Sequence, residues 1–386
     1  MRILLGKNIS FRKSYMTKTE QTLLALIKYM VNGTETFKLD DNINWEQLIK
    51  LSNLQGISIL IIDGLQQYFS AHPECRPFDE ENSADRLRRL QWFGQVVIHE
   101  RMYAKHRKEI ANLSRLYAKV AIKMMVLKGY GLSLDWPVPN HRSVGDMDVY
   151  HYGRWQEADA LVEKECGIKI DRGHEHHTLF NFNGILVENH YDFINTKAHR
   201  DAPKIETRLK KLAEKGNMEI EMKMEDAKIY LPSADFNAIF LMRHMGQHFS
   251  GERLSLRQVL DWGFFMRAHH AEVDWLSTIN FLKEIGLYKF FNRINAICVN
   301  HLGFSEESFP TIERRENIEQ RILMDIFHPE FDKKKPEKGM FPILLFKFNR
   351  WWNNRWKHKM IYNDDLLMTF VTLTWSHLKR YKSITD

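Results

Sequence analysis

The chain has 386 residues, 44 % hydrophobic, 12 % aromatic and 27 % charged, enough apolar content to offset chain entropy and exclude a mainly disordered protein. Nineteen Gly and ten Pro, scattered without period, exclude collagen-like and low-complexity classes. A formal charge of +7 permits an anionic partner without demanding one.

Residues 1–117 read as an N-terminal helical region. Its opening, MRILLGKNISFRKS, holds an apolar run too short for a signal-peptide core. Leu23, Leu24, Ile27, Met30 and Val31 then recur at helical spacing. Asn44 is placed to cap WEQLIKLSNLQGI, whose Trp45, Leu48 and Ile49 share a face. SILIIDGL continues that packing, and Pro73 to Pro77 break it. A long helix follows from about Ser83 to Tyr117, with Leu90, Phe93, Val97 and Ile98 on its apolar side.

From 118 to 232 the pattern becomes that of a small α/β core. KVAIKMMVLKG is an apolar run ending in glycine, as a buried strand would be. GLSLDW reads as a short helix, PVPNH as a loop, and DMDVYHY alternates as a strand does. WQEADALVEKECG is an amphipathic helix that Gly167 can close. IKIDR, HTLFNF and ILVENHYDF follow, the last two joined by Asn183-Gly184, a strong hairpin signal. Helices return from Ser233 to about Gly303, within a C-terminal helical region taken as 233–330. Residues 331–386 begin with the Lys-rich linker DKKKPEKG and continue as a basic, aromatic tail ending in HLKRYK. No stretch approaches the roughly 18 apolar residues of a spanning helix. Cys75, Cys166 and Cys298 lie far apart and suit a reducing compartment. The expectation is a soluble, cytoplasmic protein of mixed α+β (α/β) class.

The chemistry concentrates in Arg142-Ser-Val-Gly145-Asp146-Met-Asp148-Val149. On a strand, residues two apart share a side, so Asp146 and Asp148 put two carboxylates on one face and turn Met147 and Val149 to the core. Adjacent acids repel, and a divalent cation gives them a reason to meet; Mg²⁺ takes such carboxylates together with substrate phosphates. Gly145 allows close approach of backbone or ligand, and Arg142 offers a forked donor suited to phosphate. Lys128-Gly129 ends the preceding strand and opens a helix, a natural phosphate cradle. In the hairpin's second strand Leu186, Glu188 and His190 share one face, so that Glu188 can complete a two-metal acid set. Asp192, further along, is the alternative third acid.

Lys-Gly, then Arg-x-x-Gly-Asp-x-Asp-Val, then a Val-Glu-Asn-His strand about forty residues later, resembles the nucleotidyltransferase fold superfamily. More closely, it is similar to the bacterial family described as uncharacterised nucleotidyltransferases, over roughly residues 40–305. The helical flanks INWEQLIKLSNLQGIS and RHMGQHF…LSLRQVLDW take part in the likeness. The resemblance implies a nucleotidyltransferase-type mixed sheet between helical regions. It also implies Mg²⁺-dependent (or Mn²⁺-dependent) transfer of a nucleotidyl group from an NTP such as ATP to an acceptor. Asp146 and Asp148 would hold the metals, and Glu188 would bind the second metal or act as base. Lys128, Gly129, Arg142 and Gly145 would meet the nucleotide, and His190, His244, Arg257 and Asp261 would line the cleft. One departure is that the superfamily's Gly-Ser is here Lys128-Gly129-Tyr130, with no serine before Ser133.

His244 and His248 share a helix face, but HMGQH lacks the glutamate of a metalloprotease. His174, His176 and His177 precede the hairpin; such a cluster can bind metal but in a turn is more often exposed, and His177, the one expected to approach the active face, is not read as a ligand. The tail segment 341–360 interleaves Trp351, Trp352 and Trp356 with cations. It suits a membrane surface or nucleic acid, or else a terminal helix packed on the body. Two rival functions stand beside the transferase. One is a catalytically silent nucleotide- or partner-binding protein in a toxin–antitoxin or envelope-assembly context; the other is a nucleic-acid-binding protein.

Overall fold

The computed structural model describes residues 16–362, apart from 34–37, 41–42, 75–81, 198, 216–217, 223–225, 252, 332–333, 335 and 337–338. The opening segment, Cys75 and the closing HLKRYK therefore lie outside the described residues. Thr17 and Glu20 form a capping box on α1 (Lys18–Asn32), and the Asn44 side chain caps α2 (Trp45–Leu54) by accepting from the Gln47 N–H. The apolar SILIIDGL becomes α3 (Ser58–Ala71), followed by the long α4 (Ser83–Ala118). The first half of α4 departs from the periodic reading. Leu90, Phe93, Val97 and Ile98 face solvent, and the helix is anchored by Trp92, Tyr103, Ile110, Leu113 and Tyr117.

The sheet has six strands: β1 (Met125–Leu127), β2 (Met147–Tyr150), β3 (His177–Phe182), β4 (Ile185–His190), β5 (Met218–Met222) and β6 (Ala227–Leu231). Their spatial order is β3-β4-β2-β1-β6-β5. It is mixed, with β1 antiparallel to β2 and parallel to β6, and β2 parallel to β4. α5 (Gly129–Ser133) leaves β1, and α6 (Trp155–Cys166) ends where Gly167 turns left-handed at φ +64. The hairpin β3–β4 forms at Asn183-Gly184 as its sequence demands. Ile168–Arg172 adds only one bridge, from Asp171 to Leu179. β5, β6 and the preceding α7 (Ala202–Lys215) extend the sheet beyond the elements that periodicity suggested.

The remaining helices are α8 (Ala234–Gly251), α9 (Leu256–His269), α10 (Trp275–Glu284), α11 (Tyr288–Leu302), α12 (Glu316–Phe327), α13 (Met340–Asn353) and α14 (Arg355–Ile361). One hydrophobic core joins α1–α3 to α8, α9, α11 and α12, and reaches the sheet through Met125, Leu127 and Tyr150. A second packs the other sheet face, Val126, Met147, Val149 and Val187, against α4 and α6. Strand alternation then fixes the placement of the acids: with Met147 and Val149 in the second core, Asp148 must face the helical body. Among the described residues no helix is long and apolar enough to cross a membrane.

Candidate active site

Parallel pairing sets Asp148 of β2 beside Glu188 of β4, and Tyr150 beside His190, so the carboxylates and the imidazole share one face. Lys128 follows β1 directly, in a left-handed turn at φ +43 that strains a residue with a Cβ. Its Nζ lies 2.7 Å from Asp148 Oδ1. His190 Nε2 lies 3.0 Å from the same Oδ1 and 3.3 Å from Glu188 Oε2, while its Nδ1 faces the Asp192 carbonyl at 3.2 Å. Burial favours neutral forms of all three groups, but their mutual attraction prevails. Lys128 and His190 hold the Asp148 carboxyl well below the usual range, and Asp148 raises both Lys128 and His190.

Asp146 is not on the strand but one residue ahead of β2, exposed at the cleft mouth. Its carbonyl meets His106 Nε2 of α4 at 3.2 Å. Desolvation where the cleft walls close round it and the Asp148 charge raise its carboxyl, with Lys128 opposing. Of the two acids the sequence left open as third, Glu188 is the one beside Asp148. Asp192 lies past the end of β4 and pairs with Lys210 of α7.

A cavity of about 360 Å³ collects most of the candidate residues. Lys128, Gly129, Arg142, Gly145, Asp146 and Asp148 line it from the sheet side, and His244, Arg257 and Asp261 from α8 and α9. Glu188 and His190 stand behind Asp148 rather than in the cavity wall. His244 meets His248 edge to face, with ring centroids 4.5 Å apart. Burial, helped by Lys128 and His248, holds the His244 imidazole well below its ordinary pKa. Arg257 is half-buried, and its Nε has no hydrogen-bond partner among the described residues. Arg253 also lines the cavity, and its Nε has no hydrogen-bond partner among the described residues; it belongs to no motif, so nothing in the sequence marked it.

Arg142 has a different task from the phosphate contact its sequence context suggested. It is buried, and its fork grips Asp261, Nε to Oδ1 at 2.7 Å and Nη2 to Oδ2 at 2.8 Å. Nη1 donates to the carbonyls of Gly129 and Ser143, and Trp136 Nε1 also donates to Asp261. The pair ties the acid-bearing loop to α9.

The HEHH cluster is less exposed than a turn would leave it. His177 opens β3 directly across from His190, with its Nε2 3.9 Å from Glu188 Oε1. Burial lowers His177 to about 4 and His176 to about 3. Among the described residues, two groups bring ligand atoms within 4.8 Å of one another: Asp148–Glu188–His190 and His176–His177–His190. The first group supplies two carboxylates, the oxygen donors a small divalent cation takes, while the 3.0 and 3.3 Å around His190 Nε2 are the distances of its hydrogen bonds to Asp148 and Glu188.

The aromatic tail is partly structural. Trp356 of α14 packs edge-on to Phe249 at 5.3 Å beneath the Arg321 guanidinium, and Lys357 is buried against Asp325.

No curated protein and no solved structure matches the chain. The family described as uncharacterised nucleotidyltransferase matches residues 41–303, which include the acid pair, the hairpin and the helical wall from α8 to α11, and the chain belongs to that family.

Proposed function

We propose that this protein moves a nucleoside monophosphate from an NTP to a hydroxyl or phosphate acceptor, with the triphosphate in the cavity between Asp146 and α9. The observation that carries the reading is the register of Asp148 beside Glu188 at the edge of a cavity whose opposite wall supplies Arg253 and Arg257. Mg²⁺ or Mn²⁺ held by Asp146, Asp148 and Glu188 would neutralise charge on the transferred phosphoryl group. Lys128 and His190 fix the Asp148 carboxylate through Oδ1 and leave Oδ2 for other contacts. Arg257 and Arg253 face the cavity as cations suited to phosphate oxygens. Glu188, half-buried beside Asp148 and set back from the cavity wall, has the alternative role of base toward the acceptor proton.

The test is calorimetric titration of each NTP in Mg²⁺ or Mn²⁺ on wild type and Asp146→Asn. Asp146 is exposed, so this substitution leaves no buried charge unpaired. Metal-dependent binding weakened about tenfold or more in the variant supports the reading. Absence of NTP binding by wild type, or binding indifferent to metal and to Asp146, sinks it.

A second reading, nucleotide binding without turnover, draws on the same ion pairs: Lys128 and His190 already balance Asp148. Metal-dependent binding with no product across an acceptor panel would favour it.

A further inference from the structure

We propose that His176, His177 and His190 bind a transition-metal ion of the zinc class, at a site that adjoins Asp148 through His190 but does not include Asp146. The three imidazoles offer nitrogen atoms within 4.8 Å of one another. Their ring centroids are 4.5 Å (His176–His177), 5.3 Å (His177–His190) and 5.6 Å (His176–His190) apart. The fold holds them there by backbone contacts. His177 and His190 are cross-strand partners, and the N–H groups of Tyr191 and Asp192 both donate to the His176 carbonyl.

The environment suits ligands rather than ordinary core residues. His177 is 8 % exposed and His190 2 %, yet the Nδ1 atoms of His176 and His177 are buried with no hydrogen-bond partner among the described residues. A buried polar atom left unsatisfied is costly, and a metal bond removes that cost. His190 Nδ1 lies against the Asp192 carbonyl, the outer contact that typically orients a ligating imidazole. Nitrogen donors select zinc, cobalt, nickel or copper, whereas Mg²⁺ prefers oxygen, so this cluster recruits a different ion from the one an acid pair takes.

The test uses the full chain and the metal alone. Co²⁺ is titrated while visible ligand-field absorption is recorded, and Zn²⁺ and Mg²⁺ are added as competitors. The expected result is saturable Co²⁺ binding displaced by Zn²⁺ but not by Mg²⁺. It should weaken about tenfold or more in His176→Gln/His177→Gln and persist in Asp146→Asn, which separates this site from the acid pair. Failure of folded wild type to bind Co²⁺ or Zn²⁺ overturns the proposal, whatever the variants do. So does binding that is unchanged in the double variant, or that disappears in Asp146→Asn.

Discussion

Arg142 and Asp261, 119 residues apart, form a two-point ion pair with both side chains buried, and it joins the loop carrying Asp146 to the helical wall of the cleft. Removing one partner of such a pair strands the other charge in the interior, at a cost of about 3–5 kcal/mol. Asp261→Asn is therefore expected to lower the free energy of unfolding by that amount. Arg142→Lys keeps the charge but loses the fork and the contacts to Gly129 and Ser143, for a loss of about 1–3 kcal/mol. Equilibrium unfolding in urea checks both. An Asp261→Asn protein as stable as wild type would show that the pair does not secure the loop.

That pair also shows what the sequence could and could not disclose. The alternation of Met147, Asp148 and Val149 was legible because two-residue spacing needs no partner to be recognised, and Met147 and Val149 are buried as it requires, although Asp146 falls one residue short of β2. The hairpin was legible because Asn183-Gly184 favours one turn type. The buried pairing of Arg142 was not legible, because its carboxylate partner comes from a helix 119 residues away. β5 and β6 pair with each other and with β1, but no Asn-Gly dipeptide joins them as it joins β3 and β4, so they carry little local signal. The apolar side of α4 at Leu90, Phe93, Val97 and Ile98 had the right period, but periodicity does not say what covers a face. His176 and His177 gained weight only once the register placed His190 opposite them.

Two helical glycines should respond to alanine in opposite directions. A Cβ at Gly263 of α9 would lie 2.4 Å from ring atoms of Phe304, which is buried and cannot swing away. Gly263→Ala is expected to cost about 1–3 kcal/mol through overpacking, more than the helix propensity it gains. At Gly94 of α4 a Cβ meets nothing within 4 Å, so Gly94→Ala should stabilise by up to about 1 kcal/mol. Thermal melts of the two variants distinguish them, and a stabilised Gly263→Ala would contradict the packing described.

His269 is clamped between Asp135 (Nε2–Oδ1, 2.9 Å) and Glu272 (Nδ1–Oε1, 3.0 Å). The hydrogen bond that His269 donates to Asp135, with help from Glu272, outweighs burial and raises the imidazole to about 9. A folded value above the unfolded one means that the stabilisation is complete below about pH 6.5 and is lost as pH climbs through about 9. The side chain is partly exposed, so solvent screening limits the effect to about 1 kcal/mol. Wild type should therefore lose more stability than His269→Gln between about pH 6 and about pH 9.5. Parallel pH dependence in the two proteins would refute the assignment, because groups common to both cancel in the comparison.

The basic tail contains charges of two kinds, and they should separate on substitution. Lys357 and Asp325 are each 1 % exposed, with Nζ 2.6 Å from Oδ2, an ion pair whose geometry falls short of an aligned hydrogen bond. Burial raises the Asp325 carboxyl, and Lys357 opposes that shift. Lys357→Met removes the only ion-pair partner described for this acid and should cost about 3–5 kcal/mol. Phe348 and Trp352 of α13 stack on each other while remaining 40 % and 47 % exposed. Their joint replacement by serine should change stability by no more than about 0.5 kcal/mol. Deleting 340–386 would strip Trp356 from Phe249 and leave Asp325 buried without its cation, so loss of vesicle or RNA binding after that deletion would report unfolding as readily as a lost contact. The Phe348→Ser/Trp352→Ser protein is the cleaner probe for either surface. A large drop in its melting temperature would mean that α13 is seated more deeply than its exposure indicates.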